Sequence, residues 1–253
     1  MNVIGTATLV RRELDRSQRV AVQAIITPWL SAGLFMLVFG KIVGARIGDI
    51  GGASYVEFVL PGVLMMNLLS AAFMQSCSAL YFQRFLKNIE EVLIAPFSYD
   101  EMILAFVFSG MMRGFIIAAG ILGIGLLFGA TGVAHPLWFV FFLVVVALLF
   151  SLLGLLVGLW ANGFEQLSLF PTFLITPLTF LGGMFNTPEM LPPAVRPLLA
   201  LNPFWYMIDG LRYAMIGTGD SNHLVGAAFL IILAAASFLL VRQLFARGWR
   251  LRT

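Results

Sequence analysis

Apolar residues fall in six long blocks, at 21–40, 58–83, 102–128, 136–164, 167–185 and 224–241, separated by short polar or proline-rich stretches. A helix that crosses a bilayer needs about 20 mostly apolar residues. The blocks are too long for barrel strands and do not alternate apolar with polar. The pattern predicts six transmembrane helices at 21–43, 58–82, 102–128, 136–161, 167–185 and 224–245, all in one domain over 1–253. Pro28 in the first, and Pro171 and Pro177 in the fifth, predict kinks that a membrane helix can absorb.

Composition turns this pattern into a fold class. Sixty per cent of the residues are hydrophobic, 11% are charged, and the mean hydropathy is +0.98. A water-soluble fold cannot hide that much apolar surface, so the chain is expected to be an all-α integral membrane protein. The late first block, followed by five more, is not the form of a cleaved signal peptide. Cys77 falls inside the second span and reads as a small packing residue.

Charge sets the orientation. Arg11, Arg12, Arg16, Arg19, Arg84, Lys87, Arg242, Arg247, Arg250 and Arg252 share one side of a six-span topology, against Lys41, Arg46, Arg196 and Arg212 on the other. The positive-inside bias therefore places both termini in the cytoplasm. The net charge of +3 reads as topogenic charge touching anionic lipid, because no basic cluster is interleaved with base-stacking aromatics; no nucleic acid is expected.

Three segments between the spans carry pattern of their own. In 1–20, Val3, Ala7, Val10 and Leu14 form a helical stripe with Arg11, Arg12, Glu13, Asp15 and Arg16 around it, which predicts an amphipathic helix in the cytoplasmic interface, an anchor or a docking surface. In 84–96, Leu86, Ile89 and Leu93 make one stripe, with Lys87, Glu90 and Glu91 off it and Pro96 ending the helix. Amphipathicity alone leaves that helix either a plain connector or a knob for a partner's groove. The segment 186–217 is too long for a turn. Prolines divide it, with 190–201 and 204–216 each able to make a few helical turns, which predicts an outer re-entrant hairpin before the last span.

Several chemistries are missing. No Walker A loop occurs, since the one Gly-Lys pair, Gly40-Lys41, is followed by Ile42. His135 and His223 lack any metal-site context, and Glu90-Glu91 lacks the companions a proteolytic pair needs, so neither a metal nor an enzymatic reaction is expected on this chain. Arg113 is the basic residue well inside a span, about 18 Å by helical rise from Glu101. It either snorkels inward or serves packing or gating.

The stretch Asn88 to Pro96, the segments 181–185 and 190–193, and the stretch Leu201-Asn202-Pro203-Phe204 through Asp209-Gly210-Leu211-Arg212 together resemble the permease subunit of an ABC-2 type exporter, the type V ABC exporter class. The resemblance covers nearly the whole chain. It is nearest the bacterial inner-membrane branch that includes drug, polysaccharide and nodulation lipo-oligosaccharide exporters. It implies a homodimer with two copies of a separate nucleotide-binding ATPase that carries ATP and Mg. In this reading 84–96 is the coupling helix, and a hydrophobic or amphipathic substrate moves outward. It points to Lys87, Glu90, Glu91, Leu93, Arg11 and Arg12 for the ATPase contact, and to Phe73, Phe170, Phe173 and Phe180 for the substrate path. The rival expectation is a self-sufficient secondary carrier or channel. Its usual intramembrane carboxylate is absent from the spans.

Overall fold

The computed structural model describes residues 3–18, 22–50, 52–94, 97–130, 132–193 and 196–251. Predicted features at position 21, at Arg19, at Ala95-Pro96 and at Arg252 lie outside the described residues, as do the side chains of Val3, Ala7, Leu14 and Arg16. Among the described residues the chain is all-α, with six helices long and apolar enough to span a bilayer. In chain order the helices are α1 (Val3–Gln18), α2 (Gln23–Arg46), α3 (Tyr55–Phe85), α4 (Ile89–Ile94), α5 (Tyr99–Leu127), α6 (Pro136–Trp160), α7 (Phe164–Leu181), α8 (Pro203–Ile216) and α9 (His223–Ala246).

Two helix starts fall three residues before their predicted positions, and local chemistry explains both. Ser54 caps α3 in a box with Glu57, and Ser98 caps α5 in a box with Glu101. Each pair satisfies backbone N–H groups that a helix start otherwise leaves unpaired. The prolines act as expected of residues with no N–H to donate. A wide π turn (Val22–Ile26) precedes Pro28 in α2 and another (Pro171–Ile175) opens at Pro171 in α7, while a longer π segment (Met36–Val43) in α2 contains no proline. Thr176 Oγ1 donates to the Pro171 carbonyl at 2.9 Å, alongside the Thr176 backbone N–H, which donates to the same oxygen and closes the wide turn.

α3 is the axis of the molecule, with 78% of its most apolar window buried, against 17% for α2 and α7. It is flanked by α5 and α6, each of which offers it two glycines one turn apart, Gly110 with Gly114 and Gly154 with Gly158. A Cβ at Gly158 would lie 2.7 Å from the Cys77 carbonyl oxygen, and one at Gly154 would collide with the Phe73 carbonyl. Small residues at this spacing let helix backbones touch, which is how helices associate where lipid removes the hydrophobic drive. Cys77 is fully buried in this seam.

Both chain ends gather at the C-terminal end of α3, here called the terminal face; the opposite side is the distal face. There Arg84 Nη1 donates to the carbonyls of Gly158 (2.7 Å) and Leu159 (2.8 Å), capping α6, and Arg84 Nε donates to the Arg250 carbonyl at 2.6 Å. The long segment before α9 holds a 3-10 turn (Pro188–Met190), one helical turn (Arg196–Leu199) and α8. The first half of the expected hairpin is therefore not a limb of several turns. Its prolines leave only those fragments. α8 runs antiparallel to α6, with Phe204 against Phe150 at 5.6 Å between ring centroids and the His135 N–H donating to the Ala214 carbonyl at 2.8 Å.

Gly154→Val should force α6 off α3 and cost about 1–3 kcal/mol, the usual penalty of overpacking. Gly123→Ala, with nothing within 4 Å of the added atom, should hold or slightly raise the melting midpoint in the same detergent, by up to about 1 kcal/mol of helix propensity.

Candidate functional site

The terminal face carries the first set of candidate residues. α3 ends at Phe85 and the chain reverses through Leu86 and Lys87, the latter at φ 58°. α4 restarts at Ile89 and buries Ile89 and Val92 against α5 and α6, in one cluster with Leu9 of α1 and Phe106. The stripe Leu86–Ile89–Leu93 is thus corrected: Leu86 is outside the helix and exposed, because α3 extends to Phe85 and the reversal resets the phase. Lys87, Glu90 and Glu91 are exposed and Leu93 is half-buried.

α1 lies alongside. Leu9 is buried and Arg11 and Arg12 are exposed, but Glu13, assigned by pattern to the polar surface, is fully buried and accepts from Gln83 Nε2 at 2.8 Å. That hydrogen bond ties α1 to the end of α3. Arg12 and Glu91 line one groove of about 280 Å³ with Leu9, Val92 and Phe97. Two of the residues named for a partner contact therefore share a surface.

A second feature is an apolar cleft of about 500 Å³ between α6, α7, α8 and α9. Phe73 and Phe170 both line it and stack at 6.2 Å. Phe173 and Phe180 do not. Phe173 is 73% exposed on the far side of α7, and Phe180 packs on Phe185 at 5.5 Å. The π turn at Pro171 shifts the helix phase, so phenylalanines that look equivalent in sequence face different ways.

Arg113 has a partner: its Nη1 donates to Gln75 Oε1 of α3 at 2.8 Å, in the region where α5 packs on α3. An intramembrane arginine paired with an amide inside the bundle matches the packing alternative rather than simple snorkelling.

The distal face holds polar groups that sequence reading did not join. Asp209 and Arg212 of α8 are 1% and 3% exposed and form an ion pair at 3.6 Å. Asp209 accepts from the N–H groups of Asp220 (2.9 Å) and Ser221 (2.7 Å) and from the Ser221 hydroxyl (2.5 Å). Arg212 Nη2 donates to the Gly183 carbonyl at 2.6 Å, and its guanidinium lies 4.0 Å from the Phe58 ring centroid. One buried pair thus links α3, the end of α7, α8 and the loop into α9. Beside it, Tyr213 is stacked between His135 (4.8 Å) and His223 (4.0 Å). Spacing along the chain gave no signal for that sandwich, since its rings come from three helices.

The model of the ABC-2 type transporter family matches residues 5–216. The chain belongs to the ABC-2 type transporter family. It is 37% identical over 250 residues, 99% of this chain and 98% of the other, to the inner membrane transport permease YadH of Escherichia coli strain K12. Over 242 residues, 94% of this chain and 92% of the other, it is 24% identical to nodulation protein J of Rhizobium leguminosarum bv. viciae. The matched region of this ABC-2 type chain runs from α1 to the end of α8, so it takes in both the terminal-face groove and the distal ion pair. Among its described residues no group of three or more His, Cys, Asp or Glu could hold a metal ion.

Removing one member of the distal pair leaves a buried charge, so Asp209→Leu should cost about 3–5 kcal/mol, and adding Arg212→Met should restore part of that loss in thermal melts. Burial, then the Asp209 carboxylate, pushes the Asp220 carboxyl above the ordinary aspartate range, with Arg212 opposing. A raised acid binds its proton more readily in the folded state, so its ionisation removes stability as pH rises through the shifted value. Asp220→Asn should raise the melting midpoint at neutral pH, and the difference should vanish once pH falls below about 3.9.

Proposed function

We propose that this chain is the permease subunit of an ATP-driven ABC exporter in a bacterial inner membrane, with both termini in the cytoplasm. The observation that carries the reading is α4. It buries Ile89 and Val92 in the bundle and exposes Glu90 and Glu91, with Lys87 exposed in the turn before it and Arg12 of α1 sharing a groove with Glu91. A short helix rooted in the core and charged on its outer side can take a push from a partner and pass it to α5 and α6. In this reading α4 is the coupling helix and Leu93 is the aliphatic part of the contact. The partner is a separate ATPase that binds ATP and Mg, two copies serving a homodimer of this chain. The ten-to-four bias of basic residues supports the orientation.

The substrate is hydrophobic or amphipathic and moves outward past Phe73 and Phe170, leaving by the hairpin region 186–217. The name of the transport permease relative supports the role, and the wholly apolar lining of the cleft supports a hydrophobic or amphipathic cargo. A self-sufficient carrier is less well supported, because Arg113 pairs with an amide and not with a carboxylate that could carry the coupling proton.

Substituting Glu90 and Glu91 together with alanine should reduce co-purification of a Walker-containing subunit at least about ten-fold, the scale of a lost charged contact, with normal insertion and dimer yield. Retained transport in that variant would favour the carrier. Lys87→Gly should relieve about 1 kcal/mol of left-handed backbone cost, raising the melting midpoint while lowering stimulated ATPase activity.

A further inference from the structure

The apolar cleft ends, on the terminal face, at Trp160, the last residue of α6. Two arginines converge on that helix end. Arg84 holds the carbonyls of Gly158, Leu159 and Ala161, and Arg250 Nη1 donates to the Trp160 carbonyl and, at 3.2 Å, to Asn162 Oδ1. A helix C-terminus offers roughly half a negative charge, against two full positive ones. Neither arginine has a carboxylate in ion-pair range among the described residues. Glu165, the nearest acid along the chain, is exposed on α7. The end of α6 therefore carries uncompensated positive charge.

The backbone holds one of the two arginines in place. Arg250 sits at φ 55°, a left-handed conformation costly for a residue with a Cβ. Leu251, next along, is 2% exposed in the terminal-face core and pins the turn. A strained, anchored arginine beside Trp160 and the half-exposed Trp249 is placed at the depth where aromatic residues meet lipid headgroups.

The cleft above has no charged side chain in its lining, which includes Leu153, Trp160, Phe170, Leu174 and Leu233. From Trp160 to Leu149 it follows α6 for about 16 Å of helical rise, close to half of the roughly 30 Å hydrocarbon core. One wall is α7, the loosely held span. An apolar slot one leaflet deep, with a positive mouth at headgroup level, has the charge and shape of a single lipid.

We propose that the cleft binds one anionic phospholipid of the leaflet on the terminal face. Its phosphate lies on Arg250 and the side-chain Nδ2–H group of Asn162, whose backbone N–H already donates to Gln166 Oε1, and one acyl chain lies between α6 and α7. The lipid supplies packing that α7 lacks from its own chain, so the position of α7 responds to anionic lipid content. This goes beyond the export reading and does not rest on it, since binding needs neither ATP nor a partner. A cargo passing Phe73 and Phe170 meets this chain as part of its wall.

The test uses the full chain, purified in mild detergent, delipidated and read by native mass spectrometry after add-back. The probes are phosphatidylglycerol, phosphatidylcholine with the same chains, and glycerol 3-phosphate. The expected result is one phosphatidylglycerol per chain, preferred over phosphatidylcholine by about five-fold, the scale of one arginine at an anionic surface, with no retention of glycerol 3-phosphate. Arg250→Ala should abolish the preference, Arg250→Lys should partly restore it, and Arg46→Ala on the distal face should not change it.

A second readout does not depend on those variants. In phosphatidylcholine nanodiscs doped with phosphatidylglycerol brominated on its chains, Trp160 should be quenched, and Trp160→Phe should remove that component. Equal retention of the two lipids, an unchanged preference in Arg250→Ala, or binding of glycerol 3-phosphate would each overturn the proposal. So would loss of a co-purifying ATPase in Arg250→Ala with lipid retention intact, which would make the mouth a protein contact.

Discussion

The rest of the structure depends on the close approach of α5 and α6 to α3. In lipid, helices gain nothing from burying apolar side chains against one another, so association relies on van der Waals contact and on polar groups that pair. Gly110, Gly114, Gly154 and Gly158 allow the contact by removing the side chains that would hold backbones apart. With this three-helix unit in place, α9 and α8 have a surface to pack on, and the terminal and distal faces have fixed positions. α2 and α7, with little buried surface, stand at its margins.

Charge is distributed according to the same solvent. Arg84 satisfies the last carbonyls of α6 where the helix would otherwise end unpaired. Arg212 is neutralised by Asp209 and given a carbonyl and an aromatic face, so burial leaves only part of its hydrogen-bonding capacity unused. Arg113 is bonded to Gln75 where two helices meet. Each of these side chains links elements distant in sequence, which makes polar groups the joints of a bundle whose apolar contacts are permissive.

The contrast between a rigid centre and loosely held margins suits a protein that must move. Ile89 and Val92 of α4 and Leu9 of α1 share one buried cluster with Phe106 of α5 and Leu152, Leu155 and Leu159 of α6, so the terminal face is continuous with the bundle core. α7 has two prolines, a π turn and a cleft at its back, and it lies outside the glycine seam. On the distal face the Asp209–Arg212 pair joins the end of α7 to α8 and the loop before α9.

Much of this was legible in the chain. Six apolar blocks, the basic bias and the lack of a nucleotide motif determine the class, because a bilayer tolerates few alternatives to satisfied helices. The serine–glutamate boxes at 54–57 and 98–101 and the paired glycines were also readable, being short-range patterns with a local cause. Helix phase after a break was not. The turn at Leu86–Lys87 moved the buried positions of α4 to Ile89 and Val92, and the π turn in α7 separated Phe170 from Phe173. Nor could the chain alone reveal which polar groups meet. Gln83 with Glu13, Gln75 with Arg113, and His135 with Tyr213 and His223 are brought together by packing between helices far apart in sequence. Sequence by itself determined what kind of solvent the helices need. Only the tertiary structure decided which charges that solvent leaves paired and which it leaves facing an open cleft, because pairing in lipid is settled by where helices touch.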